Sequence, residues 1–458
     1  MVSAGVSHLS CCLARWLSVY RDRIDPSAPI LLAVSGGSDS LALLYAAADL
    51  AKDTDIQFQT ATVDHGLRPE AADEAEYVAR ICSDLGILHR TLKLEWDENV
   101  QVSQAQARHA RYTALSAASR DIGASVIFTG HTLDDQLETV FMRLSKNSDV
   151  WGLAGMAELS PMPVWPEGGE CCLGRPLLTE ARETLRSCLT DQTVGWINDP
   201  SNDEDRFERV RTRRILSGSI ELQKKLLAIC RLASVERASL CARLFDWVDQ
   251  HLTWHLGGAA SLDLVALKTL SMCERCRLLQ ILLACVSGRS RGPDLNRLEA
   301  SLRSEEALAK GLTLGGCLLK AGDEQLQITA ELPEDDFGTC VEVGDHLIWE
   351  GRILLKGESL KWNAPRLASF SERSVPSHLR EVDLPVFAIR RTLPVILSDD
   401  GVVLACPHLE PHGKYTVADI GKERARALLS HNTELFRQEN GLGESFSASS
   451  STMLQTDE

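Results

Sequence analysis

The stretch 30–47 most constrains what this chain can fold into. Ile30-Leu31-Leu32-Ala33-Val34 is an apolar run of strand character. Ser35-Gly36-Gly37-Ser38-Asp39-Ser40 is a glycine turn carrying hydroxyls and one acid. Leu41-Ala42-Leu43-Leu44-Tyr45-Ala46-Ala47 opens a buried helix. A strand, a glycine turn and a helix start together make a phosphate site. Glycines let the backbone approach an anion, and a helix start offers unpaired N–H groups and the positive end of its dipole. Ser35, Ser38 and Ser40 add donors, and Asp39 is the residue to hold a magnesium ion against phosphate charge. The Walker spacing G-x-x-x-x-G-K-S/T occurs nowhere in the chain. The competing reading is a plain Gly-Gly turn. It is outweighed because the whole 35–40 turn sits between a strand and a helix.

The next hundred residues repeat the strand-then-helix rhythm. Strands are expected at 30–34, 58–63, 88–94 and 125–129, and helices at 41–51, 70–85, 103–121 and 134–144. This alternation predicts an α/β fold, a parallel sheet with helices on both faces. Ligands in such sheets bind beyond the carboxyl ends of the strands. Three stations fall there: the 35–40 turn, Val63-Asp64-His65, and Gly130-His131. From about 218 the texture changes to Leu, Ala and Arg at helical spacing, and after Gly311 to short β segments. The expected division is a catalytic domain over 1–217, a mainly helical middle domain over 218–335 and a small α+β domain over 336–443. An acidic linker is expected at 331–336, and a serine-rich disordered tail over 444–458.

Composition narrows the function classes. The net charge of −16 argues against blanket nucleic-acid binding, so any RNA must meet a local basic patch. One exists where Arg206, Arg209, Arg211, Arg213 and Arg214 crowd together, opposed within the run only by Glu208. No apolar run is long enough for a membrane span, and no secretory signal is seen, so a cytoplasmic location is expected. The 14 cysteines are scattered without a framework and read as reduced and packed. Cys273 and Cys276 form the single C-x-x-C, too little for a tetrahedral zinc site, so no metal beyond magnesium is expected.

The remaining chemistry lies on helices. In Gly130-His131-Thr132-Leu133-Asp134-Asp135-Gln136-Leu137-Glu138, the three acids fall on one helix-start face. One acid there is a common dipole partner; three beside a histidine suit a cationic substrate, lysine being the obvious one. His131 is the candidate for proton transfer or for holding developing charge. Arg108 and Arg111 stand one turn apart beside Tyr112, with a solvated face as the equal alternative. His65 and Arg68 follow the second strand and could reach phosphate, while backbone there could face an adenine ring; a plain loop exit is the commoner outcome. The arginine run follows Trp196-Ile197-Asn198-Asp199-Pro200-Ser201-Asn202 and forms the best phosphate contact in the chain, although a solvated helix is the usual fate of such a run.

In order and wording these stations resemble the tRNA(Ile)-lysidine synthetase family of ATP pyrophosphatases, whose phosphate loop reads SGGxDS. Further matching stations are Gly152-Leu153-Ala154-Gly155-Met156 and Arg175-Pro176-Leu177-Leu178. The likeness spans about 30–216; the remainder is only loosely similar to the family's tRNA-binding extensions. Before Gly152 the family usually shows an arginine and a Gly-Ser-Gly turn, where this chain has Lys146-Asn147-Ser148-Asp149-Val150-Trp151.

The resemblance implies an adenine nucleotide α-hydrolase-like fold and a ligase that uses ATP and Mg2+. ATP adenylylates C2 of the wobble cytidine of a CAU-anticodon tRNA(Ile), and the lysine amine then displaces AMP. It implies Ser35, Gly36, Gly37, Ser38, Asp39, Ser40, Val63 and His65 at the nucleotide, and Asp39, His131, Asp135 and Glu138 in catalysis. Asp134, Asp135 and Glu138 would meet lysine. Arg68, Arg108, Arg111, Arg209, Arg211 and Arg213 would meet tRNA, and a homodimer stays open as the assembly. Rival readings are a tRNA-thiolating enzyme, which needs cysteine pairs near the site, a small-molecule amidating synthetase, and a silent RNA-binding adaptor.

Overall fold

The computed structural model describes residues 4–66, 70–96, 101–169, 171–198, 208–331, 340–343, 346–356, 366–370, 389, 392–397, 403–409 and 416–430. Expectations for Arg68, 199–202, Arg206, the linker residues 332–336 and the tail lie outside the described residues.

Helix α1 (Ala4–Tyr20) buries Val6, Leu9, Leu13 and Trp16, the 3–4 residue spacing of one helical face. That face packs on α2 (Ser38–Asp53), and the Trp16 ring meets Phe128 edge-on at 4.8 Å. Strand β1 (Ile30–Ala33) is buried along its whole length between β2 (Phe58–Asp64) and β4 (Val126–Thr129), pairing parallel with both. Between them in the chain come α3 (Ala71–Asp84), β3 (Leu88–Lys93) and α4 (Gln104–Asp121), whose start is fixed by a reciprocal Ser103–Gln106 capping box. After β4 come α5 (Leu133–Ser145), the single turn α6 (Val150–Leu153), and strands β5 (Leu159–Pro161) and β6 (Cys172–Gly174).

The sheet order is β3-β2-β1-β4-β6-β5, parallel except for β5 at the edge. The chain moves outward from β1 through β2 to β3, then returns to place β4 on the other side of β1. The switch point therefore lies between β1 and β4, where an open α/β sheet opens its ligand crevice. The 35–40 turn and Gly130-His131 flank that crevice. The expected α/β sheet is the fold found, and its elements stand close to their expected positions.

Helices α7 (Arg182–Asp191), α8 (Glu208–Ser217) and α9 (Ile220–His251) carry the chain into its second half. Leu137 and Val140 of α5, Leu216 of α8, and Leu226 and Cys230 of α9 share one buried cluster, which seats α8 over the crevice side of α5. The middle region is helical in α9, α10 (Leu264–Thr269), α11 (Met272–Ser287), α12 (Leu295–Leu302) and α13 (Glu305–Lys310). Besides these helices, which hold most of its described residues, the region carries a sheet. Strands β7 (Leu252–Trp254), β8 (Ala260–Asp263), β9 (Leu312–Leu314), β10 (Cys317–Ala321) and β11 (Gln325–Ala330) form a five-stranded antiparallel sheet. The apolar α11 is buried against this sheet. Strands β7 and β8 were unread because they are short and broken by Gly257 and Gly258, both at positive φ.

Beyond this lie two small antiparallel sheets. One joins Cys340–Val343, His346–Trp349, Ile353–Lys356 and Thr416–Asp419; the other joins Arg366–Ser369, Pro394–Leu397 and Val403–Ala405. The helix Gly421–Ser430 turns back toward the first half. There the Arg424 guanidinium lies 4.1 Å from the Trp165 ring centroid, and the Trp165 indole N–H donates to the Gly351 carbonyl at 2.6 Å. Among the described residues, no helix is long and apolar enough to cross a membrane.

Candidate active site

The phosphate turn is built by its own hydroxyls. Ser40 Oγ donates to the Gly37 carbonyl at 3.0 Å and accepts the Ser35 N–H at 3.1 Å, closing the turn on itself. No side chain caps Gly37, the N-cap of α2, so the first turn of the helix keeps N–H groups for a ligand. Gly36 has φ +82°, and a Cβ there would come within 2.5 Å of Ile197 Cδ1. Gly130 is needed for a different reason, since its Cβ would strike the Asp39 carbonyl at 2.7 Å. That close approach brings the loop after β4 against the phosphate turn. The Ile197 N–H donates to the Gly36 carbonyl at 2.9 Å, and Tyr77 Oη donates to the Gly195 carbonyl at 2.8 Å. The segment expected to lead into the RNA contact thus also covers the phosphate loop.

On the other side of the crevice, three carboxylates meet three guanidiniums. Arg182 Nε donates to Asp39 Oδ2 at 2.8 Å, one of its terminal nitrogens donates to Asp135 Oδ1 at 3.0 Å, and the other lies 3.6 Å from Glu138 Oε1. Arg209 Nε donates to Glu138 Oε2 at 2.8 Å and reaches Asp135 Oδ1 at 3.4 Å; Arg213 Nε donates to Glu138 Oε1 at 2.9 Å. The Glu138 side chain is 1% exposed, while Arg209 and Arg213 keep 44% and 40% of theirs in solvent. Residues 209 and 213 are one turn apart and share a face of α8, while Arg211 points to another side and is exposed.

This arrangement gives three of the expected site residues partners that were not expected. Arg209 and Arg213, expected on tRNA phosphate, lie in the acidic socket expected to take lysine. Asp134, expected at the lysine, accepts the Arg182 backbone N–H at 2.8 Å and so caps α7. Asp39, Asp135 and Glu138 do come together. Arg182 is the residue the sequence reading missed. An arginine at the first position of a helix opposes the dipole there, and that anomaly is the one local sign of a dedicated anionic partner.

Burial alone would raise the Asp135 carboxyl. Arg182 and Arg209, helped by the Thr132 N–H at 3.0 Å, outweigh it and hold the carboxyl below its ordinary value. His131 is pushed down to about 3, chiefly by burial and then by the charge of Arg175. Its Nδ1 lies 2.7 Å from Thr129 Oγ1. The imidazole is therefore neutral at physiological pH, and it is a weak base. The charge of Arg111 adds to that lowering, and Arg108 and Arg111 stand 4.9 and 5.6 Å from the buried Tyr112 ring centroid.

Val63 and His65 lie at the carboxyl end of β2, where the Trp96 indole N–H donates to the His65 carbonyl at 2.6 Å. The Cys171-Cys172 pair sits at the amino end of β6, on the opposite edge of the sheet. It is buried, with the Cys171 thiol pushed up to about 11. The atypical 146–151 loop makes specific ties: Lys146 Nζ donates to Glu208 Oε2 at 2.7 Å, Asp149 pairs with Arg277, and the Trp151 ring centroid lies 4.4 Å from that guanidinium. It thus supplies positive charge to the start of α8, the helix that carries Arg209.

Asp39 fits a magnesium ion shared with a polyphosphate, since such ions take one or two carboxylates plus phosphate oxygens. Ser38 Oγ donates to its Oδ1 at 2.9 Å, beside the open helix start.

Residues 13–219 match the model of the PP-loop domain family. A tRNA(Ile)-lysidine synthase of Hyphomonas neptunium is 40% identical over 296 residues, 64% of this chain and 79% of that protein. The enzyme of the same name from Novosphingobium aromaticivorans is 38% identical over 66% of this chain and 89% of its own length. In Brucella anthropi the likeness is 33% but extends over 84% of this chain and 88% of that protein. A shared sequence of this extent, on a PP-loop sheet with the acids drawn together at its switch point, places the chain in the tRNA(Ile)-lysidine synthase family.

Proposed function

We propose that this protein is a cytoplasmic ligase that joins lysine to C2 of the wobble cytidine in the CAU anticodon of tRNA(Ile). In the first step the cytidine C2 oxygen attacks the α-phosphorus of ATP and pyrophosphate leaves. In the second, the lysine side-chain amine attacks C2, the C2–O bond breaks and AMP leaves, the amine having given up its protons. The observation that carries this reading is a cation socket beside a phosphate loop: Asp135 and Glu138 gather guanidinium groups within reach of Arg182, which also holds Asp39.

The helix start at 37–40 and the hydroxyls of Ser35 and Ser38 hold the phosphates and favour charge developing on the departing pyrophosphate. A magnesium ion at Asp39 would supply further neutralisation of that charge. Asp135 and Glu138 take the lysine ammonium in place of Arg209 and Arg213, whose forks turn to tRNA phosphate. The exchange also acts on proton transfer. Asp135 is a poor base while Arg209 depresses it, and it becomes a better one when that charge moves away. His131, neutral beside the reacting base, serves as a hydrogen-bond partner, since an imidazole pushed down to about 3 takes few protons from an ammonium.

The experiment is incubation of pure protein with ATP, radiolabelled lysine and CAU-anticodon tRNA. Label on the tRNA, with pyrophosphate release that needs the tRNA, is the expected result. Pyrophosphate release without any lysine transfer would reject the reading.

A further inference from the structure

A second cluster of donor atoms lies away from the crevice, between the amino-terminal helix and the loop that leads into α7. His8 and Cys12 are four residues apart on one face of α1 and point at the same carboxylate. His8 Nε2 lies 3.0 Å from Glu180 Oε2, Cys12 Sγ lies 3.5 Å from Glu180 Oε1, and the sulfur and the ring nitrogen are 3.9 Å apart. Tetrahedral zinc holds nitrogen and oxygen at about 2.0–2.2 Å and sulfur at about 2.3 Å, so its ligand atoms stand about 3.3–3.6 Å from one another. The two Glu180 distances run to different carboxylate oxygens; with one ligand atom from each residue, all three lie within 4.8 Å of one another, close to that range. Among the described residues this is the one set of three or more His, Cys, Asp and Glu donors gathered so closely.

We propose that His8, Cys12 and Glu180 form a zinc site with three protein ligands and an open fourth position facing solvent. Thiolate, imidazole and carboxylate together suit zinc better than magnesium or calcium, which take oxygen alone. Cys12 is buried and Glu180 largely so, while half of the His8 side chain is in solvent, leaving room for a water at the fourth position. As the Zn–S bond forms, the thiol proton passes to solvent.

The place of the site gives it a structural role. The Glu180 carbonyl accepts the Leu133 N–H at 2.9 Å, at the start of α5, and Arg182 follows two residues later. A metal there pins α1 to the segment that aims Arg182 at Asp39 and Asp135. The sequence reading missed it because its donors are split between residues 8–12 and residue 180, and no short motif joins them.

The test uses full-length protein, stripped with a chelator and titrated with zinc and with cobalt(II), without tRNA or ATP. One equivalent of cobalt should bind with a sulfur-to-metal charge-transfer band in the near ultraviolet, and zinc should displace it. Cys12→Ser should abolish the band, and Glu180→Gln and His8→Ala should each weaken zinc at least about 10-fold. Cys273→Ser, in the exposed half of the C-x-x-C, should change none of this. At equal zinc, the melting temperature of the parent protein should rise more than that of any of the three ligand variants. No stoichiometric cobalt binding, a band that survives in Cys12→Ser, or an unchanged zinc affinity in folded Glu180→Gln would overturn the assignment. None of these readouts depends on lysine transfer, so the zinc site and the proposed ligase activity stand or fall separately.

Discussion

The two walls of the crevice are made in different ways. The phosphate wall is one continuous piece of chain: Ser35 to Ser40 closes on its own hydroxyls, and the helix it starts supplies the anion-binding N–H groups. The cation wall is assembled from four separate segments. Asp39 comes from α2, Asp135 and Glu138 from α5, Arg182 from α7, and Arg209 and Arg213 from α8. A wall made from local backbone geometry stands ready before the ligand arrives. A wall made from paired side chains is already filled by its own arginines, which the proposed reaction would exchange for substrate. The phosphate wall should therefore respond to mutation as an all-or-none device, and the cation wall in graded, coupled steps.

The largest effect is expected at Asp39, which lies in the phosphate turn and also meets Arg182 of the cation wall. Asp39→Asn keeps the size and the Ser38 contact but removes the charge that would hold magnesium and that pairs with Arg182. Pyrophosphate release should fall by about 10²–10³, the scale of losing one preorganised electrostatic group, while the thermal transition stays cooperative. A folded variant with near-normal release would break the contrast, because the loop would then work without its only acid.

At the cation wall a smaller and more selective loss is expected. Glu138→Ala removes the partner of Arg209 and Arg213 and should raise the lysine KM by about 10–100-fold, the worth of about 1.5–3 kcal/mol for a charged hydrogen bond. It should leave tRNA adenylylation nearly intact. Asp135→Ala should do the same to lysine but also disturb the first step, because Asp135 shares Arg182 with Asp39. Equal lysine KM values for both variants and the parent protein would remove these acids from the lysine site.

The same contrast explains what could be read from sequence. The phosphate loop was legible because its chemistry depends on neighbours in the chain: glycines at a turn, hydroxyls in reach, a helix immediately after. The sheet was legible for a related reason, since each strand and helix carries its own period. The clustering of Asp135 and Glu138 followed from helical spacing. Arg182 was not legible, because its partner Asp39 lies 143 positions away and only the folded sheet brings them together. Nor did charge patterning reveal that Arg209 and Arg213 face inward while Arg211 faces out, since that depends on which side of α8 packs on α5. The short strands β7 and β8 escaped because three or four residues carry too little period to register.

A pH experiment sharpens the account of His131. Its folded value is about 3 against an ordinary 6.5, so above pH 6.5 both folded and unfolded chains hold it neutral and it adds no pH dependence. Between pH 6.5 and 3 the unfolded chain binds the extra proton, and stability falls as pH falls, by at most about 1.4 kcal/mol per pH unit. His131→Gln should flatten that limb of a stability-against-pH curve. An unchanged limb in the variant would mean that the imidazole charges freely in the folded protein and is available as a base.

The smallest effects probe the exchange at the cation wall directly. If tRNA phosphate draws Arg209 and Arg213 off Glu138, lysine and tRNA must favour each other's binding by the same factor, since binding linkage is reciprocal. Lysine at saturation should then tighten tRNA about fivefold or more, the lower end of ordinary coupling energies. Each phosphate contact also contributes about 0.7–0.9 to the slope of log affinity against log salt. Changing Arg209, Arg211 and Arg213 together to alanine should flatten that slope by about two units if most of them touch phosphate. The single change Arg211→Ala separates the two faces of α8. It should flatten the slope by less than one unit and keep the lysine coupling, because Arg211 lies on a different face of α8 from Arg209 and Arg213. Arg209→Ala with Arg213→Ala should instead abolish the coupling, since lysine then enters a socket with neither α8 arginine to displace. Coupling that persists in that double variant would show the two arginines to be fixed structural partners of Glu138, and the cation wall to be as static as the phosphate loop.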